Sequence, residues 1–153
     1  MIIFDWKRTL YDPDAKILIS GAQNILTFIK DRDINAVVIG KGGEEMYAEV
    51  ARLGIGSYFK DIIFNEGKEE EQFVPFIAAA TPKHTHVVGD RIKAEITIGN
   101  KLGATTIWVK QGKFSTEEPE TPEEQPTHIV SSLEELYQLF QTIFNHENTP
   151  LTI

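Results

Sequence analysis

Ile2-Ile3-Phe4-Asp5-Trp6-Lys7-Arg8-Thr9-Leu10 opens with a short apolar run rich in β-branched residues and closed by a carboxylate. A run of that length, bounded by polar residues, has the dimensions of a buried strand rather than a helix. Comparable runs recur at Ala36 to Ile39, Ile62 to Phe64, His86 to Val88, Thr105 to Val109 and His128 to Val130. Between them, apolar residues fall at helical spacing: Ile25, Leu26, Phe28 and Ile29, then Met46, Val50 and Leu53, then Phe73, Phe76 and Ile77. Strands alternating with helices need right-handed crossovers, which cover both faces of a parallel sheet. The expected fold is therefore a three-layer, Rossmann-like α/β fold with a central parallel sheet of about five to six strands.

The chain of 153 residues is 41% hydrophobic, enough for one core and too short for two ordinary domains, so a single domain over 1–153 is expected. A formal net charge of -8 argues against broad attraction to nucleic acid or to an anionic membrane, both of which need a basic face. A small phosphorylated ligand held by a local cation cluster remains compatible with that charge. The absence of cysteine removes disulfides and thiolate metal sites. No stretch has the length of a bilayer-spanning helix, and Met1 to Asp5 lacks the basic head and long apolar run of a secretion signal. A soluble cytoplasmic protein is the expectation.

Gly112 to Pro126 breaks the pattern, with five glutamates, three prolines and no apolar period. Such a segment reads as a solvated acidic surface loop or mobile linker. Beyond it, Ser132 and Glu135 stand at capping-box spacing ahead of Leu136, Leu139, Phe140 and Ile143, which marks a final helix.

In an open parallel sheet, ligands bind outside the carboxyl ends of the strands. The first run ends at Asp5, the second at Gly40-Lys41 and the run from His86 at Gly89-Asp90, while a fourth candidate, Lys68, follows Gly67 after the strand-like Asp61 to Phe64. Two aspartates ionised at close range favour a cation between them, and a hard oxygen site suits magnesium. Metal and lysine together make a phosphate clamp, and an aspartate is a competent nucleophile toward phosphorus. Taken singly, strand-end aspartates are more often caps or turn formers.

Order and spacing change that balance. Ile2 to Leu10 resembles the first motif of the haloacid dehalogenase superfamily, in which an apolar strand delivers a nucleophilic Asp. Val87-Val88-Gly89-Asp90, with Glu95 five residues on, resembles its fourth motif, and Lys68 lies 22 residues before Asp90, where the family keeps a phosphate-binding lysine. Leu102 to Val109, the acidic loop and His128 to Leu136 are similar to the closing half of such domains. The resemblance implies that Asp5 is the nucleophile, that Asp5, the Lys7 carbonyl and Asp90 hold Mg2+, and that Lys68 neutralises the phosphate. Thr9 and Glu95 would support the site from behind.

The match departs at two positions. Lys7 stands where phosphatase members carry the Asp that serves as general acid and base. Gly40 stands where the second motif has a hydroxyl, leaving Lys41 and the backbone N–H groups around Gly40, Gly42 and Gly43 as an anion cradle, or else a plain flexible turn. About 30 residues separate Thr9 from Gly40 and the stretch to Lys68 is no longer, so no cap domain fits and the cleft is expected to be open. An open cleft suits a macromolecular phospho-substrate or a homo-oligomer. The expected function is a slow or specialised Mg2+-dependent phosphohydrolase, against a catalytically impaired relative that binds a phospho-ligand or serves as an assembly module.

Other features read as structural. His84 and His86 are expected to be surface polarity, Trp6 and Trp108 core or cleft wall, and Glu69 to Glu71 a helix start favoured by the helix dipole.

Overall fold

Alternation along β1 (Ile2–Phe4) sets up both faces of the molecule. Phe4 packs with Val38 and Val88 on one side of the sheet, and Ile3 with Val37 and Val87 on the other, as successive strand side chains must. The computed structural model describes residues 1–147. Its central sheet adds β4 (Ala36–Lys41), β5 (Asp61–Asn65), β6 (His86–Gly89), β7 (Thr105–Val109) and β8 (His128–Val130) to β1. The six strands are all parallel, in the order β5-β4-β1-β6-β7-β8. Every strand expected from the sequence is present in it.

Helices α1 (Ala22–Asp31), α2 (Glu44–Leu53) and α5 (Leu133–Glu147) cover the Phe4 face, contributing Ile25, Leu26, Val50, Leu136 and Phe140 to the larger core. The opposite face is covered by α3 (Glu70–Phe73) and the segment around α4 (Thr97–Lys101), through Phe73, Ile98 and Leu102. This is the layered Rossmann-like α/β arrangement, with helices on both faces of the sheet. Ser132 Oγ accepts the N–H of Glu135 at 3.2 Å, so the expected start of α5 is present, while the Glu135 carboxylate reaches Ser131 N–H at 2.7 Å, one residue earlier than a capping box places it.

Three local features differ from the sequence expectation. The helix expected through Ile77 stops at Phe73 and continues as a 3₁₀ turn, because Pro75 removes a backbone donor. A hairpin, β2 (Tyr11–Asp12) with β3 (Ile17–Leu18), stands between β1 and α1 where no strand was expected. It is tied to α2: the Tyr11 hydroxyl donates to Glu49 at 2.8 Å, and Arg52 donates to the Lys16 carbonyl at 2.5 Å. The third is His86, which is buried against the Phe144 ring at 5.4 Å, whereas His84 is exposed, so the pair does not share a surface. His86 begins a strand at the centre of the sheet, where side chains on both faces are covered.

The acidic segment is a surface loop with two 3₁₀ turns, held by a set of contacts. Lys93 pairs with Glu120 at 3.0 Å, and the Asn100 amide donates to the carbonyls of Glu123 at 2.6 Å and Gln125 at 2.8 Å. Net charge along a segment predicts solvation, but these partners come from a distant part of the chain and left no local trace.

Candidate active site

The sheet order reverses beside β1: the chain builds outward through β4 and β5, then returns to the other flank at β6. Phe4 is in register with Val88, and the Asp5 N–H donates to the Val88 carbonyl at 2.9 Å, so Asp5 and Asp90 emerge side by side at the carboxyl ends of adjacent strands. This is the topological switch point at which open α/β sheets bind ligands.

Asp5 is 5% exposed and its carboxylate is held on both oxygens. Oδ1 accepts from the Lys68 ammonium, and Oδ2 accepts from the Thr9 hydroxyl at 2.8 Å. Thr9 gets there because the Trp6 carbonyl gathers the N–H groups of Thr9, Leu10 and Tyr11 at 3.0 to 3.2 Å, folding the chain back over Asp5. The same hydroxyl lies 3.5 Å from Asp90 Oδ1. Below this turn the Trp6 ring stacks on Tyr11 with centroids 5.0 Å apart, making a fully buried floor.

Lys68 reaches in from the segment after β5 and also donates to Glu95 Oε2 at 2.9 Å. Burial opposes its charge, but the carboxylates of Asp5 and Glu95 outweigh burial and raise its pKa, so it stays an ammonium. Glu95, 1% exposed, accepts the Arg91 N–H at 3.0 Å through its other oxygen. Its side chain passes directly over Gly89, where a Cβ would stand 2.1 Å from Oε1. The glycine before Asp90 therefore makes room for Glu95.

Asp5, Asp90 and Glu95 each offer a carboxylate oxygen within 4.8 Å of the others. Ionised together, three carboxylates against one ammonium would leave two negative charges uncompensated. Burial, followed by the charge of Asp5, pushes the Asp90 carboxyl up to about 9, and burial also raises Glu95. Asp90 Oδ2 is buried with no hydrogen-bond partner among the described residues. An orphaned acceptor, an all-oxygen donor set and a deficit of two positive charges fit a hard divalent cation.

The remaining candidates divide. Lys7 and Lys41 line the cleft above Asp5, a cavity of about 690 Å³, and Gly40 does not. Gly40 is buried in β4, where a Cβ would lie 2.8 Å from Trp6 Cβ and 2.9 Å from the Phe64 ring, so the absent side chain is explained by packing. The Gly42 N–H donates to the Asn65 carbonyl at 2.9 Å and the Gly43 N–H to Glu45 at 3.2 Å, which occupies two of the three donors expected to cradle an anion. Two contributors go beyond the sequence reading, which gives Trp108 only as core or cleft wall and does not single out Phe114. Trp108 donates its indole N–H to the Asp90 carbonyl at 2.9 Å, and Phe114 lies under Arg91 at 4.0 Å on the cleft wall. Neither had a local signal, since both act across strands or from the acidic loop.

Known proteins share this fold and sequence pattern. The HAD-hydrolase-like family model matches residues 38–136. HAD-hydrolase YfnB of Bacillus subtilis is 28% identical over 140 residues, covering 86% of this chain and 56% of that protein. A glyceraldehyde 3-phosphate phosphatase of Methanopyrus kandleri is 26% identical over 106 residues, covering 65% of this chain and 46% of its own length. The chain thus spans about half the length of the curated relatives it matches. The magnesium-bound structure of YfnB superposes with a TM-score of 0.66 at 26% identity, over 81% of this chain and 56% of that one. A HAD-superfamily hydrolase from Ehrlichia chaffeensis shares the fold across 94% of this chain and 97% of its own, with a TM-score of 0.70 at 14% identity. With the family model spanning well over half of the sequence, and with this strand order beneath it, the chain belongs to the HAD-hydrolase-like family.

Proposed function

We propose that this protein is a magnesium-dependent phosphomonoester hydrolase with Asp5 as its nucleophile. The observation that carries the proposal is the convergence of Asp5, Asp90 and Glu95, with one lysine paired to Asp5 and Glu95 and two negative charges left over when all three carboxylates are ionised. Asp5, Asp90 and the Lys7 carbonyl would hold the metal. When bound, magnesium supplies a Lewis acid that balances those charges and polarises the phosphoryl oxygens.

Lys68 and Thr9 fix the Asp5 carboxylate, and each carboxylate oxygen keeps a lone pair beyond the one already engaged. An Asp5 oxygen attacks phosphorus, the P–O ester bond breaks with its electron pair on the leaving oxygen, and that oxygen takes a proton from water. Water then attacks the phosphorus of the aspartyl-phosphate and gives up a proton to the hydroxide left by the first step, the P–O bond to Asp5 breaks with its electron pair on the carboxylate, and inorganic phosphate departs. Lys68 offsets the charge of the phosphoryl group throughout. Lys7 supplies no carboxylate for the proton transfers, which costs about a hundred- to ten-thousand-fold in rate, or roughly 3 to 5 kcal/mol. We therefore expect slow turnover of generic esters.

Between Thr9 and Gly40 there is room only for the small hairpin and α1, which supports a capless site. The related glyceraldehyde 3-phosphate phosphatase supports a small phosphorylated substrate. A phosphorylated macromolecule, or a second copy covering the cleft, also suits the missing lid.

Lys7 is the observation favouring a second reading, a phospho-ligand-binding relative without turnover. A panel of aryl phosphates and phospho-metabolites assayed with magnesium separates the two. Turnover that is metal-dependent and lost in Asp5→Asn supports the hydrolase, and turnover that survives Asp5→Asn removes Asp5 from its role. No turnover in the native protein, with activity gained in Lys7→Asp, supports the second reading.

A further inference from the structure

The protein carries fifteen lysines and arginines against a net charge of -8, yet eight of the fifteen line the one cleft above Asp5. Four of the eight are paired. Lys68 is bound to Asp5 and Glu95, Arg91 lies 3.6 Å from Glu117, Lys93 pairs with Glu120, and Lys101 lies 3.7 Å from Glu70. The other four, Lys7, Arg8, Lys41 and Lys113, form no ion pair among the described residues. The phosphoryl group at Asp5 is already served by Lys68, so these four exceed what one phosphate needs.

We propose that the substrate carries a second anionic group, a distal phosphate or carboxylate, received by Arg8 and Lys113 at the Phe114 wall of the cleft. This rests on the hydrolase reading for the position of the reacting phosphate and goes beyond it in naming the substrate class.

Arg8 comes from the turn after β1 and Lys113 from the loop after β7. The Gln111 side-chain amide donates to the carbonyls of Arg8 at 3.2 Å and Thr9 at 3.4 Å, which fastens the two segments together. Both cations lie against the Phe114 ring: Arg8 stands 5.8 Å and Lys113 5.4 Å from its centroid. The ring contacts keep both side chains at the Phe114 wall of the cleft while leaving their donors without an ion-pair partner among the described residues. Like charges gathered this way repel one another until an anion arrives.

Arg8 adds a second, independent sign. Its φ is +64°, a left-handed conformation that is strained for a side-chain-bearing residue and that asparagine or glycine adopts more readily. A strained position occupied by arginine is accounted for when the guanidinium has work at the cleft, where its planar fork suits phosphate or carboxylate.

The test uses inorganic phosphate and methylenebisphosphonate as probes, titrated calorimetrically into the full chain without divalent metal, so that chelation does not enter. The native protein should bind the bisphosphonate about tenfold more tightly than phosphate in dilute buffer, with the preference shrinking as salt rises. Arg8→Asn and Lys113→Gln, singly and together, should abolish the preference, and Arg8→Asn should keep or raise the melting temperature because it relieves the strained backbone. Equal affinity for the two probes, or a preference unchanged in the double variant, overturns the inference. Steady-state assays then compare a neutral-tailed phosphomonoester with analogues bearing a distal carboxylate or a distal phosphate. The better of the two charged analogues identifies the distal group, and its kcat/KM advantage should fall toward one in the double variant. Probe preference without any turnover leaves the anion subsite standing and defeats the hydrolase. Turnover indifferent to the distal charge does the reverse.

Discussion

Trp108 Nε1 donates to the main-chain carbonyl of Asp90 at 2.9 Å, tying the end of β6 to its neighbour β7 beneath the candidate metal site. Both groups are buried, so the bond has no water to replace it. Trp108→Phe keeps most of the ring and removes the donor, leaving a buried carbonyl unsatisfied. The unfolding free energy should fall by about 1 to 3 kcal/mol in denaturant titrations. The magnesium concentration for half-maximal turnover should rise in the same variant, because Asp90 loses its anchor. An unchanged metal dependence would show that Asp90 is positioned without the indole.

Crowding among Asp5, Asp90 and Glu95 predicts opposite effects of metal on two proteins. Asp90→Asn removes one of the three carboxylates, so the metal-free variant should melt no lower than the native chain at neutral pH. Millimolar magnesium should raise the melting temperature of the native protein and leave the variant where it was, since a ligand stabilises only the state that binds it. Equal shifts in both would place the metal elsewhere.

His86 gives the molecule an acid-sensitive interior. Burial foremost lowers its pKa from 6.5 to about 4, so between those values the unfolded chain takes up a proton that the folded chain refuses. Its contribution is intact above pH 6.5 and is lost progressively as the pH falls toward 4, at a cost of about 2 to 3 kcal/mol. Stability curves of the native protein and His86→Leu should differ in slope over that window, and parallel curves would count against a neutral buried imidazole.

The acidic loop is held more by Asn100 than by its surface ion pairs. Asn100 bonds two loop carbonyls through its amide nitrogen and accepts from Thr106 at 2.7 Å. Asn100→Ala should expose the 112–126 segment to limited proteolysis and cost about 1 to 3 kcal/mol. Lys93→Ala should change stability by less than about 1 kcal/mol, as exposed pairs do. Rapid cleavage in the lysine variant alone would reverse this assignment.

Strand positions were legible because a buried parallel strand is written locally, as a short apolar run such as Val37-Val38-Ile39. Asp5 and Asp90 were legible for a related reason: each directly follows such a run, and the switch point of the sheet falls between them. What escaped the sequence was written across it. Glu95 is expected to support the site, but its bonds to Lys68 and to the Arg91 N–H have no trace in the local sequence. Gly40 suggested a ligand cradle but answers to Trp6 and Phe64, residues 34 and 24 positions away in the chain. The hairpin after Leu10 has strands of two residues each, too short to show a period.

Lys68 is joined to Asp5 across 63 residues and to Glu95 across 27, so its ammonium is the junction of three segments that meet only once β1, β5 and β6 are docked. Long loops must close before any of that electrostatic gain is realised, which places this junction among the late events of folding. A nascent chain therefore carries no miniature version of the chemistry, and releasing the segment around Gly67 strands two buried acids at once.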